Sequence, residues 1–99
     1  MQGKIYHIGR GISNEIHVFD EAASEKHAQL IVDENNDLII IDLESKNGIY
    51  INDKKITSPQ KIVFGDTINF GNFKCVYKDL IKAINVFDYK NNQTEFKSI

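Results

Sequence analysis

Arginine and cysteine each occur once among the 99 residues, tryptophan is absent, and no apolar run approaches the roughly 18 residues of a membrane helix. Each shortage removes a class of protein. The single thiol, Cys75, has no partner for an internal disulfide, which excludes a disulfide-stapled secreted scaffold. The opening MQGKIYHIGR shows no charged stretch followed by an apolar one, hence no visible secretory signal. Together these predict a cytoplasmic protein that does not bind membranes. A net charge of −2 supplies no global positive field, and lysines alternate with acids such as Asp20, Glu21, Glu25, Asp33 and Glu34. Without a basic groove, nucleic-acid binding of the small-barrel type is not expected.

What is present is enough apolar material, 41% of residues, for one core and one domain. It comes as short β-branched runs punctuated by ENN, ESKNG, ND, FGD and GN. These predict strands at 4–8, 15–18, 27–33, 37–42, 49–52, 54–56, 61–63, 67–70, 73–78 and 83–89. Alternation is clean where Ile49 and Ile51 oppose Tyr50 and Asn52, and where Phe73, Cys75 and Tyr77 oppose Lys74, Val76 and Lys78. Many short strands with close turns imply a β-sandwich or barrel. Helical signal is weak: AASEKHAQL is short and runs into a strand, and LIKAI near Leu80 reads equally as a helical turn or a strand entry.

The unusual polar residues fall in three loops. Arg10, the lone arginine, sits between Gly9 and Gly11, where the chain turns freely. Its planar, permanently charged fork suits phosphate or carboxylate, which lysine meets only as a point charge. Ser24-Glu25-Lys26-His27 precedes the third strand, and Ser45-Lys46-Asn47-Gly48 joins the fourth to the fifth. Alternate loops of a sandwich gather at one end, so these three can form one rim. The competing readings are plainer. Ser24 and His27 lack an evident orienting acid and oxyanion hole for hydrolysis. His7, His17 and Cys75 have no metal-ligand spacing. Asn47-Gly48 alone is a good hairpin turn.

Taken in order, G-R, S-x-x-H-A, D-L-x-S-x-N-G-x-Y-x-N and G-D-x-I-x-F-G resemble the forkhead-associated (FHA) domain. Here they are Gly9-Arg10, Ser24 to Ala28, Asp42 to Asn52 and Gly65 to Gly71, within residues 5 to about 78. The resemblance implies an all-β sandwich of two twisted, mainly antiparallel sheets with functional loops at one end. It implies a non-catalytic module, needing no cofactor or metal, whose partner is a phosphothreonine-containing protein or peptide. By position, Arg10, Ser24 and Lys46 contact the phosphate and Asn47 holds the peptide backbone. Gly9, His27, Gly48 and Asn52 brace those loops. The alternative within the same fold is a scaffold or oligomerisation module that recognises its partner without phosphate.

Two residues depart from the pattern: Glu25 puts a negative charge next to Ser24, and Ile49 replaces the threonine usual after Asn-Gly. The expected domain is residues 1–80. The extension 81–99 is expected to pack on the sandwich as added strands, because family members usually carry an N-terminal strand that this chain lacks and an open edge needs cover.

Overall fold

The structure, a computed structural model, describes residues 3–91. Nine strands form, the longer ones with buried side chains at alternate positions: β1 (Lys4–Gly9), β2 (Ile16–His17), β3 (Ala28–Val32), β4 (Leu38–Asp42), β5 (Ile49–Ile51), β6 (Lys54–Lys55), β7 (Gln60–Ile62), β8 (Thr67–Phe70) and β9 (Phe73–Val76). They form a five-stranded sheet ordered β2-β1-β3-β4-β7 and a four-stranded sheet ordered β6-β5-β8-β9. Neighbours run antiparallel except β1 and β2, which are parallel over Ile8↔Ile16 and Gly9↔His17.

One core lies between the sheets. Tyr6, Ile8, Leu30, Leu38, Ile40 and Ile62 from the larger sheet meet Ile49, Ile51, Ile68, Phe70 and Cys75 from the smaller. Burial of each large aliphatic or aromatic side chain contributes about 1.5–3 kcal/mol, so the alternation sets both register and face. Ile49, the departure after Asn-Gly, is fully buried opposite Phe70 and serves the core.

The expected strand at 83–89 is replaced by a helix, α1 (Tyr77–Asn91), which begins where β9 ends. Leu80 and Ile84, one helical turn apart, are buried, and Ile81, Ala83 and Phe87 pack beside them. Only helical spacing brings these side chains to one face. The Asp79 carboxylate accepts the Val76 N–H at 3.0 Å and so caps the first turn. Further along, the Tyr6 hydroxyl donates to Asp88 at 3.0 Å while its ring meets Phe87 edge-on at 6.1 Å. β-Branched composition favoured a strand, but burial of this face decides for helix.

The helix touches β9 and β2, the outer strands of the two sheets, so it lies across one open side of the sandwich. The expected returning strand TEFKSI lies outside the described residues. Among the described residues no helix is long and apolar enough to cross a membrane.

Candidate functional site

Arg10 leaves the end of β1 under close constraint. A Cβ on Gly9 would run into the Glu25 carbonyl oxygen, so only glycine lets the two loops approach. The loops are then laced together: the Arg10 N–H donates to Ser24 O at 3.0 Å and the Gly11 N–H to Glu25 O at 3.1 Å. The Arg10 side chain adds a bond from Nε–H to Ala23 O at 3.0 Å. One edge of the guanidinium is thereby anchored, while its terminal nitrogens make no ion pair. A lysine has no equivalent of that Nε–H, which gives the single arginine a geometric reason.

Asn14, which the sequence did not single out, completes the lacing. Its Nδ2 donates to Gly11 O and Glu25 O, both at 2.7 Å, and only 8% of the residue is exposed. Its Oδ1 is buried with no hydrogen-bond partner.

The loop between β4 and β5 is shaped by its own side chains. Asp42 accepts the Ser45 N–H, Ser45 Oγ accepts the Gly48 N–H, and Gly48 takes φ +79°, a conformation suited to glycine. The resulting turn points the Lys46 N–H at Ser24 Oγ, 2.9 Å away. Ser24 therefore joins both neighbouring loops: its carbonyl accepts Arg10 N–H and its hydroxyl accepts Lys46 N–H. Because the hydroxyl oxygen is already an acceptor, its O–H remains to donate to an incoming anion. Asn47 Nδ2 donates to Ala22 O at 2.7 Å, leaving the amide oxygen unused by that bond.

His27 lies beneath this rim, fully buried. Nδ1 accepts the Ser24 N–H at 3.0 Å, which places the ring proton on Nε2, and Nε2–H donates to Gly48 O at 2.8 Å. The ring also meets Phe70 edge-on at 5.8 Å. Both nitrogens are committed to backbone, so His27 cannot act as base for Ser24, and the S-x-x-H segment is a brace.

Arg10, Ser24, Lys46 and Asn47 are thus brought to one rim, with Gly9, His27 and Gly48 in the backbone that shapes it. Asn52 is not there. It follows the opposite end of β5, with φ 52°, and ties the next turn together: Nδ2 donates to Asp66 at 2.9 Å and Oδ1 accepts the Thr67 N–H at 3.0 Å. Of the expected braces, Asn52 is the one whose position removes it from the loops.

Arg10, Lys46 and Asn47 are exposed. Among the described residues the close charge pairs are Lys4 with Asp88, Lys61 with Asp37 and, when His7 is protonated, His7 with Glu15, so neither Arg10 nor Lys46 is held in an ion pair. Two unpaired cations, a hydroxyl donor and an amide on one open rim match a compact, multiply charged anion with several acceptor oxygens. Among the described residues no three His, Cys, Asp or Glu side chains are grouped to hold a metal ion.

Fold and rim define a class, and the chain belongs to it: the FHA domain family, whose model matches residues 6–71. It is 32% identical over 69 residues to the glycogen accumulation regulator GarA of Mycobacterium tuberculosis, a match spanning 70% of this chain and 41% of GarA. The chain thus aligns with less than half of that relative's length. Its fold is similar to the FHA domain of CT664 from Chlamydia trachomatis, at 28% identity and a TM-score of 0.69 over 75% of each chain. It is also similar to the N-terminal FHA domain of Saccharomyces cerevisiae Rad53p, solved with a phosphothreonine peptide, at 31% identity and a TM-score of 0.60. That match covers 66% of this chain and 54% of the Rad53p domain.

Proposed function

We propose that this chain is a phosphothreonine-dependent protein interaction module, a reader of phosphorylated segments in the cytoplasm and not a catalyst. The observation that carries the reading is Ser24, bonded at once to the Arg10 and Lys46 backbones beside two cations that are held in no ion pair. The phosphothreonine complex of the related Rad53p domain supports it.

In this reading the Arg10 terminal nitrogens, the Lys46 ammonium and the Ser24 hydroxyl receive the phosphate oxygens, and Asn47 holds the peptide backbone. Gly9, His27 and Gly48 keep the loops in place. Phosphothreonine carries about −1.5 to −2 charge and three acceptor oxygens, and hydrogen bonds to charged groups contribute about 1.5–3 kcal/mol each. Two such bonds separate phosphorylated from unphosphorylated peptide by several kcal/mol, and affinity near micromolar corresponds to about −8 kcal/mol. Because the rim is exposed, binding weakens with salt.

The test is a titration of degenerate phosphothreonine peptides against the wild type and Arg10→Ala, with unphosphorylated peptides as control and circular dichroism to verify folding. The reading requires phosphate-dependent binding that falls at least about tenfold in the variant. Binding that ignores both phosphate and Arg10 would select the scaffold alternative.

A further inference from the structure

The two most exposed large apolar side chains among the described residues are Ile12, 91% exposed, and Phe19, 84% exposed. Both lie in loops adjoining Arg10. Isolated apolar side chains are ordinary on a protein surface, but Phe19 is held out by its surroundings. The Asp20 N–H donates to Val18 O at 3.1 Å, closing a tight three-residue turn with Phe19 at its apex. The Asp20 carboxylate then accepts the Ala22 N–H at 2.8 Å, and Asp20 O accepts the Ala23 N–H at 3.0 Å, fixing the chain on its way to Ser24.

The ring is steadied as well. His17 stacks against Phe19 with centroids 4.0 Å apart and planes inclined at 45°. His17 Nε2–H in turn donates to Arg10 O at 2.6 Å. A continuous path therefore runs from the phosphate arginine through His17 to Phe19. Ile12 stands two residues beyond Arg10, in the loop that Asn14 fastens to Glu25. Asn47, bound to Ala22, belongs to the other loop of the rim.

We infer that Ile12, His17 and Phe19 form an apolar subsite that selects an aromatic or aliphatic side chain of the phosphorylated ligand, on the Arg10 side of the phosphothreonine. This rests on the phosphothreonine reading and extends it from the phosphate to the neighbouring residues. His17 ties Phe19 to the Arg10 backbone and Ile12 follows Arg10 by two residues, so both apolar side chains stand on fixed loops beside the proposed anchor, and an apolar ligand side chain set against them is desolvated without reordering those loops. Asp20, Glu21 and Glu25 carry negative charge on the same loops, so an acidic side chain at that position is disfavoured.

The experiment is selection from a phosphothreonine peptide library, randomised at four positions on each side, by the full chain and by Phe19→Ser, Ile12→Ser and Arg10→Ala. The wild type should enrich apolar residues at one or more flanking positions. Phe19→Ser or Ile12→Ser should lose that enrichment while still retaining phosphorylated over unphosphorylated peptide. The best apolar peptide should bind Phe19→Ser about 5- to 30-fold more weakly, the effect of losing part of a buried ring. Phe19→Leu should restore most of the preference, a recovery that a general disturbance of the Arg10 loop would not give.

Phosphate-dependent retention with no apolar enrichment, or with enrichment that neither serine variant changes, overturns the subsite and leaves the phosphothreonine reading intact. Failure of the wild type to retain phosphorylated peptide overturns both.

Discussion

Removal of the His27 ring is expected to cost this domain a large part of its stability, because His27 is fully buried and both of its ring nitrogens bond backbone groups. In His27→Ala, the Ser24 N–H loses its acceptor and the Gly48 carbonyl loses its principal donor. An unpaired buried backbone group costs about 1–3 kcal/mol. Gly48 O retains a longer bond from the Gly71 N–H at 3.4 Å, which places its share at the low end. Loss of the ring against Phe70 adds about 1 kcal/mol for the cavity. The sum, about 3–5 kcal/mol, is a large fraction of the roughly 5–15 kcal/mol typical of a domain. At about 4–8 °C per kcal/mol for this size, the melting midpoint should fall by roughly 12–40 °C. Asn47→Ala, which breaks an exposed bond to Ala22, should cost under about 1 kcal/mol. Differential scanning calorimetry or urea unfolding of both variants measures the contrast. A loss below about 1 kcal/mol for His27→Ala would mean that the two backbone bonds are replaced, and the bracing argument would be wrong.

Further expectations concern the helix, the acid limb and the thiol. Tyr6→Phe removes the hydroxyl bond to Asp88 and should destabilise the chain by about 1–2 kcal/mol; in the wild type, burial and then the Asp88 bond push the Tyr6 hydroxyl up to about 12, so it should ionise late in an ultraviolet titration. Leu80→Ala and Ile84→Ala should each cost about 2–5 kcal/mol in urea unfolding if α1 belongs to the core. Burial raises the Glu15 carboxyl, but hydrogen bonds from the His7 and Glu15 backbones and from the His7 ring outweigh it and hold the pKa below its ordinary value. That stabilisation is fully present above the unfolded pKa and is lost as pH falls through the lowered folded value, so Glu15→Gln should flatten the acid limb of a stability profile. Burial and, secondarily, the Asp79 charge push Cys75 up to about 12, so a thiol reagent at pH 8 should label it slowly when folded and promptly in denaturant.

The strands were legible because their signal is local. From β1 to β8 each expected run meets its strand within a residue or two, since alternation and turn residues are read over a handful of positions. The helix was not, because AINVFDY alternates like a strand, and its helical cue, Leu80, Ile81, Ile84 and Phe87, competes with that pattern. What settled it is the opening beside Tyr6, visible only in three dimensions. At the rim, residue type and order picked out Arg10, Ser24, Lys46 and Asn47, which the loops bring together. Asn14 was missed because an asparagine in a polar loop reads as a turn former, and its bond to Glu25 O spans eleven residues. Asn52 was misplaced because a motif read along the chain does not show that β5 carries its two ends to opposite turns.

The lacing of the rim also bears on timing. Lys46 is bonded to Ser24, Ser24 to His27 and Asn47 to Ala22, all within the chain itself, so the entropy of ordering these loops is met largely during folding and not at each encounter. In the proposed function, arrival of a phosphorylated segment is then governed by diffusion and by attraction to Arg10 and Lys46, and its departure by the few contacts it makes. Such a surface would exchange partners quickly. Removal of one phosphate by a phosphatase would empty the site without any refolding step, and occupancy would follow the phosphorylation state of the partner almost without delay.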